Sequence, residues 1–175
     1  MLNRYLGRMT EVIHAHGGAI NEFIGDGILV LFGAPTARPD DAARAVRCAW
    51  AMQEALAELN ASRAPGDPEL HMGIGLNAGT VVAGHIGGRN RAAYTVVGPV
   101  VNRTSRMLDL AEADEVLLSD VMLLRVRDEV EVGSARRARV KGVSVPLTVY
   151  RLLGLREPRP EYPDDPGAER SVLSA

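Results

Sequence analysis

The feature that most constrains the fold is a triplet, Gly25-Asp26-Gly27, which lies between two short apolar runs at 19–24 and 28–32. Glycine supplies the positive φ that a tight turn needs, so the pattern predicts a β-hairpin whose turn is the triplet. Asp26 is the lone carboxylate at the tip of this hairpin. Because an Asp in a turn commonly hydrogen-bonds its own backbone, the triplet alone assigns no function to it.

Composition excludes several classes of protein. The chain has 175 residues, of which 46% are hydrophobic and 24% charged, which is typical of one globular domain. The net charge is −2, and the 20 Lys and Arg are spread among 22 Asp and Glu, which argues against a nucleic-acid surface. A single cysteine, Cys48, excludes a disulfide framework and favours a reducing, cytoplasmic setting. No signal peptide pattern opens the chain, and no apolar run reaches the roughly eighteen residues of a membrane segment.

Apolar periodicity divides the chain into helices and strands of irregular order. The predicted helices span 1–16, 40–59, 100–111 and 119–126. The predicted strands beyond the first hairpin span 70–77 and 80–86, paired as a second hairpin, and then 94–98, 115–118, 129–132, 136–140 and 147–152. This order predicts an α+β, ferredoxin-like fold, with helices packed on one face of a mixed or antiparallel sheet. Residues 1–153 would form the domain, and prolines and charges without periodicity predict a disordered tail at 154–175.

Four motifs follow one another along the chain: Phe23-Ile-Gly-Asp26-Gly, Asn77-Ala-Gly-Thr-Val-Val-Ala-Gly84, Tyr94-Thr-Val-Val-Gly-Pro-Val-Val-Asn102-Arg-Thr-Ser-Arg106-Met, and Val140-Lys141-Gly142. Each motif is unspecific by itself. In this order and with these gaps, they make the chain resemble the catalytic domain of class III nucleotide cyclases.

The resemblance implies a reaction in which the ribose 3′-hydroxyl of a nucleoside triphosphate attacks its own α-phosphate and pyrophosphate leaves. Two divalent ions, Mg²⁺ or Mn²⁺, assist such a transfer. On this comparison Asp26 is a metal ligand, Asn102 orients the ribose, Arg106 steadies the developing phosphate charge and Lys141 binds the triphosphate. Each also has an ordinary alternative: a turn Asp, a surface or capping Asn, an exposed helix charge and a turn Lys. The resemblance further implies a homodimer, because in this family the metal aspartates come from one subunit and the other three residues from its partner.

One expected element of the family is missing. The family's second metal aspartate lies on a strand before the first helix, whereas this sequence begins inside that helix, without an N-cap residue. We therefore expect a domain that is truncated at its N-terminus, with weaker metal binding. The missing carboxylate motivates an alternative function, a catalytically silent module that dimerises or binds nucleotide as a regulator.

The residues expected to contact the base give mixed indications. Glu22 stands where guanylyl cyclases of the family carry Glu and adenylyl cyclases usually carry Lys, and a carboxylate can accept from the N1–H and amino group of guanine. Thr95 stands where one bacterial subgroup of adenylyl cyclases carries Thr. The prediction favours ATP on Thr95 and on the bacterial style of the segment, with a guanylyl cyclase as the alternative that Glu22 supports.

Overall fold

The computed structural model describes residues 2–88, 91–139 and 146–156. They form four helices and nine strands. The helices are α1 (Leu2–Ala15), α2 (Asp41–Ala61), α3 (Pro99–Leu108) and α4 (Asp120–Val126). The strands are β1 (Ala19–Ile24), β2 (Gly27–Leu31), β3 (Ile74–Leu76), β4 (Val82–Gly88), β5 (Arg91–Val97), β6 (Val116–Ser119), β7 (Val130–Val132), β8 (Arg136–Ala138) and β9 (Leu147–Leu155).

The main sheet has five strands in the order β3-β6-β9-β7, with β8 pairing on β9 as well. Strands β3 and β6 run parallel, with Ile74 opposite Val116, while β9 is antiparallel to each of its partners. Within the described residues, β1–β2 and β4–β5 are separate two-stranded ribbons. The mixed sheet with packed helices confirms the predicted α+β class.

Helices cover both faces of this sheet, so the prediction that they lie on one face is wrong. Alternate residues of β6 point to opposite faces. Val116 and Leu118 pack into a core with α2 and α4, whereas Leu117 packs against Met107 of α3. Gly75 on β3 allows α3 to approach closely, because a Cβ there would lie 3.4 Å from both the Met107 Cβ and the Thr104 carbonyl oxygen.

A second apolar cluster holds the β1–β2 hairpin against α1 and α2. Met9 and Ile13 of α1 are fully buried there beside Cys48 of α2. Cys48 lies inside the core, with 2% of its surface exposed. Burial raises the pKa of the Cys48 thiol to about 11, so the residue is a packing group rather than a reactive one.

The second predicted hairpin, between 70–77 and 80–86, is wrong. Strand β3 is only three residues long and pairs with β6, while β4 pairs with β5 from Val82 opposite Val97 to Gly88 opposite Arg91. The reason is that side chains form hydrogen bonds with the backbone of residues that come just before β3. The Asn60 amide bonds both the N–H and the carbonyl of Leu70, and the Met72 N–H donates to Asp114. With these groups occupied, residues 70–73 do not extend the ladder.

The remaining predicted elements differ from the structure chiefly at their ends. Ser119 caps α4 as expected, its hydroxyl accepting from the Met122 N–H at 3.0 Å. Strand β9 continues to Leu155, so residues 154–155 belong to the sheet and not to the predicted tail. Residues 157–175, and the predicted turn at Lys141, lie outside the described residues. None of the helices in the described ranges combines the length and the apolar character that crossing a membrane requires.

Candidate active site

The tip of the β1–β2 hairpin holds Asp26. Ile24 pairs with Gly27, so the turn has two residues, Gly25 and Asp26, rather than the predicted three. The positive φ of 64° falls on Gly25, as in a type II′ turn. Asp26 is exposed, and within the described part of the chain its carboxylate makes no hydrogen bond or ion pair. The side chain is therefore not the self-bonded turn Asp of the ordinary alternative.

The charge of Asp26 acts on helix α1. Burial raises the pKa of Tyr5, and the nearby Asp26 carboxylate raises it further, because a second negative charge is unfavourable beside the first. The Tyr5 hydroxyl itself donates to the Met72 sulfur at 3.1 Å. Asp26 therefore lies near enough to Tyr5, in the N-terminal half of α1, for its charge to act there, and its own side chain is exposed.

The two residues predicted to contact the base lie on neighbouring strands. Glu22 is exposed on β1, opposite Leu29 and next to a bulge in the hairpin. Strand β1 lies against β5, whose residue Thr95 pairs through its backbone with Gly84. The structure therefore brings together the strands that carry Glu22 and Thr95.

Helix α3 carries the two predicted catalytic residues. Asn102 and Arg106 are one turn apart, both exposed. Pro99 begins the helix at a position where a backbone N–H would have no intrahelical acceptor, and fully buried Met107 fixes the helix to the sheet. The Arg106 guanidinium lies 3.4 Å from the Asp109 carboxylate. Exposed ion pairs of this kind are weak, so Arg106 can exchange Asp109 for a phosphate.

The elements that carry the predicted set pack in different parts of the core. The β1–β2 hairpin packs with α1 and α2, and α3 packs on the sheet face opposite to α2 and α4. No hydrogen bond or ion pair joins Asp26 to Asn102 or Arg106 within the described residues. Lys141, the fourth member of the predicted set, lies in the segment 140–145, outside the described residues.

Comparison with known proteins gives this arrangement a family. The model of the adenylate and guanylate cyclase catalytic domain matches residues 1–154. The chain belongs to this family. Adenylate cyclase 1 of Rhizobium meliloti (strain 1021) is 35% identical over 158 residues, which are 89% of this chain and 24% of that protein. The chain spans about a quarter of the length of the curated relatives it matches.

Solved cyclase structures share the fold. The guanylyl cyclase Cya2 superposes with a TM-score of 0.85 at 46% identity, covering 90% of this chain and 80% of that one. The adenylyl cyclase CyaB from P. aeruginosa superposes with a TM-score of 0.82 at 32% identity, covering 89% and 81%. These neighbours confirm the predicted resemblance and fold. One of them is a guanylyl cyclase and the other an adenylyl cyclase.

The donor chemistry of this cyclase domain fits one ligand position of a divalent ion. Carboxylate oxygens are ligands that Mg²⁺ and Mn²⁺ prefer, and Asp26 presents an exposed carboxylate at the hairpin tip. Within the described ranges, no three His, Cys, Asp or Glu side chains come together as a metal site would require. Asp26 can therefore hold an ion only together with ligands from outside this set, such as the nucleotide phosphates or water.

Two residues of the domain were missed by sequence reasoning. Asn21 is the extra residue of the bulge before Glu22, and both polar atoms of its amide are buried without a hydrogen-bond partner among the described residues. The sequence feature that could have indicated it is an amide side chain within the apolar run 19–24. Glu115 was assigned only to a strand, but its carboxylate is 3% exposed and held by Arg136. An acid directly before the apolar run 116–118 was the signal there.

Proposed function

We propose that this chain is the catalytic domain of an adenylyl cyclase, which converts ATP to 3′,5′-cyclic AMP and pyrophosphate. The observation that carries the proposal is the exposed Asp26 carboxylate at the hairpin tip of a domain of this family, which makes no hydrogen bond or ion pair with any described residue. In the reaction the ribose 3′-oxygen loses its proton and bonds to the α-phosphorus. The bond from that phosphorus to the bridging oxygen breaks, and pyrophosphate carries away the electron pair.

Each proposed residue has a physical task. Asp26 holds a divalent ion, Mg²⁺ or Mn²⁺, and the bound ion supplies Lewis-acid stabilisation of phosphate charge. Arg106 donates several fixed N–H groups to the phosphate as charge develops. Asn102, one helical turn earlier, orients the ribose. Lys141 neutralises the triphosphate.

We assign the complete site to a homodimer. Within the described residues, no hydrogen bond or ion pair joins Asp26 to Asn102 or Arg106, and a second copy can supply the other half of the site. The surface beside Asp26 supports this arrangement, since Phe23 is 51% exposed and Ile24 is 62% exposed. Neighbouring apolar side chains that stay in water mark a contact surface.

GTP is the second candidate substrate, favoured by a specific observation. The Glu22 carboxylate is exposed on β1, and it can accept from guanine N1–H and the guanine amino group, whereas adenine presents an acceptor at N1. The guanylyl cyclase Cya2 is also a structural neighbour at 46% identity. A catalytically silent, nucleotide-binding module is the third candidate, supported by the finding that no three His, Cys, Asp or Glu side chains of the described residues come together as a metal site.

One experiment separates the three candidates. The purified chain is incubated with Mn²⁺ and either ATP or GTP, and cyclic product is quantified by chromatography. Cyclic AMP from ATP supports the proposal, cyclic GMP alone supports the second candidate, and nucleotide binding without product supports the third. Asp26→Asn should lower turnover by at least about 100-fold, because it removes the charge that holds the ion. Asp128→Asn, at an exposed acid far along the chain, is the matched control. Unchanged turnover in Asp26→Asn would remove this residue from the mechanism.

A further inference from the structure

Arg44, near the start of α2, is a largely buried arginine for which the proposed mechanism has no use. Its side chain is 15% exposed. The Nη1 nitrogen donates to two backbone carbonyls, those of His16 at 3.1 Å and Gly17 at 3.0 Å. The same guanidinium pairs with the carboxylates of Asp41 and Asp40, the second at 3.3 Å. Because a guanidinium presents its N–H groups in a fixed fork, these contacts hold its partners in a defined arrangement.

Both ends of the β1–β2 hairpin meet at Arg44. His16 and Gly17 lie between the end of α1 and Ala19, the first residue of β1. On the other side, Phe32 directly follows β2, and its ring centroid lies 5.6 Å from the guanidinium carbon of Arg44, the distance of a cation–π contact. Arg44 therefore contacts the chain both where it enters the hairpin and where it leaves.

Asp41 extends these contacts into the loop that follows the hairpin. Its carboxylate accepts from the Arg38 backbone N–H at 2.7 Å while it pairs with Arg44. Since Asp41 is the first residue of α2, the loop after β2 is fixed to the start of that helix. We call this group the hairpin base; it consists of Arg44, Asp41, Phe32 and the carbonyls of His16 and Gly17.

The far end of the hairpin is exposed. Residues 22–27, which include Asp26, are all exposed, and the hairpin side chains that pack with α1 and α2 lie outside this stretch, at Ile20, Ile28, Val30 and Phe32. At about 3.3 Å per residue, β1 places Asp26 about 20 Å from the hairpin base, so a rotation of about 3° at the base moves Asp26 by about 1 Å. The position of the tip is therefore sensitive to how the base is held.

We propose that Arg44 is a positioning residue of the metal site: by fastening the hairpin base, it sets where the tip presents Asp26 to the divalent ion. This inference rests on the proposed function. Arg44 touches neither nucleotide nor metal on this account, and its effect reaches the ion only through Asp26. Its loss should therefore raise the metal concentration that the reaction requires, whereas excess metal should restore most of the rate.

The test compares Arg44→Gln with Arg47→Gln in the full chain. Arg47 is a matched control because it lies about one turn further along α2 and also forms an ion pair, at 2.6 Å to Glu129, which belongs to the connection between α4 and β7 and not to the hairpin. Mn²⁺ is titrated at a fixed nucleotide concentration. Because a displacement of about 1 Å weakens a positioned contact strongly, Arg44→Gln should raise the half-saturating Mn²⁺ concentration about tenfold, with less than about a threefold change in kcat. Arg47→Gln should change neither.

Hydrogen–deuterium exchange reports on the hairpin without any turnover. In Arg44→Gln, the backbone amides of residues 19–31 should exchange at least about fivefold faster than in the unaltered chain, because fewer contacts resist local opening of the hairpin. The Arg47→Gln variant should keep the original exchange rates there. Equal exchange in the two variants overturns the inference. Faster exchange in Arg44→Gln with an unchanged Mn²⁺ requirement also overturns it, since Arg44 would then stabilise the hairpin without positioning Asp26.

A conservative variant covers the case in which Arg44→Gln does not fold. Arg44→Lys keeps the positive charge but loses the planar fork that reaches several partners at once. It should show the same two effects at smaller size, a higher Mn²⁺ requirement and faster exchange in the hairpin. A folded Arg44→Lys that matches the unaltered chain in both measurements would contradict the positioning role.

Failure of the proposed function would look different. If the unaltered chain makes no cyclic product, Mn²⁺ binding in the presence of α,β-methylene-ATP is measured from the electron paramagnetic resonance signal of the free ion. Weaker binding by Arg44→Gln than by Arg47→Gln then supports the positioning role although turnover is absent. Equal binding by the two variants overturns this inference alone, and no binding by the unaltered chain overturns both proposals.

Discussion

Removing the Met107 side chain should loosen the helix that carries Asn102 and Arg106. Met107 is fully buried, and it packs against Leu117, Leu147 and Val149 on the α3 face of the sheet. Replacing a buried Met by Ala costs about 2–5 kcal/mol, from lost burial and from the cavity that remains. Because this face has a small core of its own, we expect Met107→Ala to lower the free energy of unfolding by about 3 kcal/mol.

The next residue provides a matched control. Leu108 lies on the same helix but is 47% exposed, and Leu→Ala changes helix propensity about as little as Met→Ala does. Leu108→Ala should therefore cost below about 1 kcal/mol. Urea unfolding measures both variants. With a slope near 2 kcal/mol per M, the midpoint should fall by about 1.5 M for Met107→Ala and by less than about 0.5 M for the control.

Two probes of the same unfolding report whether α3 unfolds with the rest. Trp50, the only tryptophan, lies on α2 and packs toward the core on the opposite face. Coincident transitions by tryptophan fluorescence and by circular dichroism would indicate one cooperative unit. Equal losses of stability for the two variants would refute the assignment of Met107 to the α3 core.

Two further predictions concern the surface. His71 is hydrogen-bonded to Asp114 at 2.7 Å, and this bond, the charge of Asp114 and that of Glu69 together raise the pKa of His71. The stabilisation by this pair should be fully present below the unfolded pKa of about 6.5 and be lost as pH rises through the higher folded value. Thermal melts between pH 5 and 9, with His71→Gln showing no such loss, check this. Phe23→Ser should shift the protein toward monomer in light scattering and lower cyclase activity in parallel, whereas full activity in a monomeric variant would contradict the shared site.

The local parts of the fold were predictable because neighbouring residues decide them. A glycine beside Asp26 fixes the hairpin turn, and Ser119 caps α4 with its own hydroxyl. The pairing of β3 was not predictable in this way. Asn60 and Asp114, which are distant in sequence, accept hydrogen bonds from backbone N–H groups just before β3. The alternation of apolar and polar residues along a strand carries no information about such contacts.

The same difference between local and distant contacts explains why the sequence predicts the residues of the candidate site but not their arrangement in space. The motifs predict that Asp26 and Arg106 belong to one site, yet their elements pack through separate apolar clusters, one with α1 and one on the sheet face covered by α3. The order of motifs along the chain predicts which residues belong to the site. The distances between those residues depend instead on how their elements pack and, on the proposed function, on the symmetry of a dimer. The buried ion pair of Glu115 is harder still to predict, because its partner, Arg136, lies 21 residues away in sequence and 2.6 Å away in space.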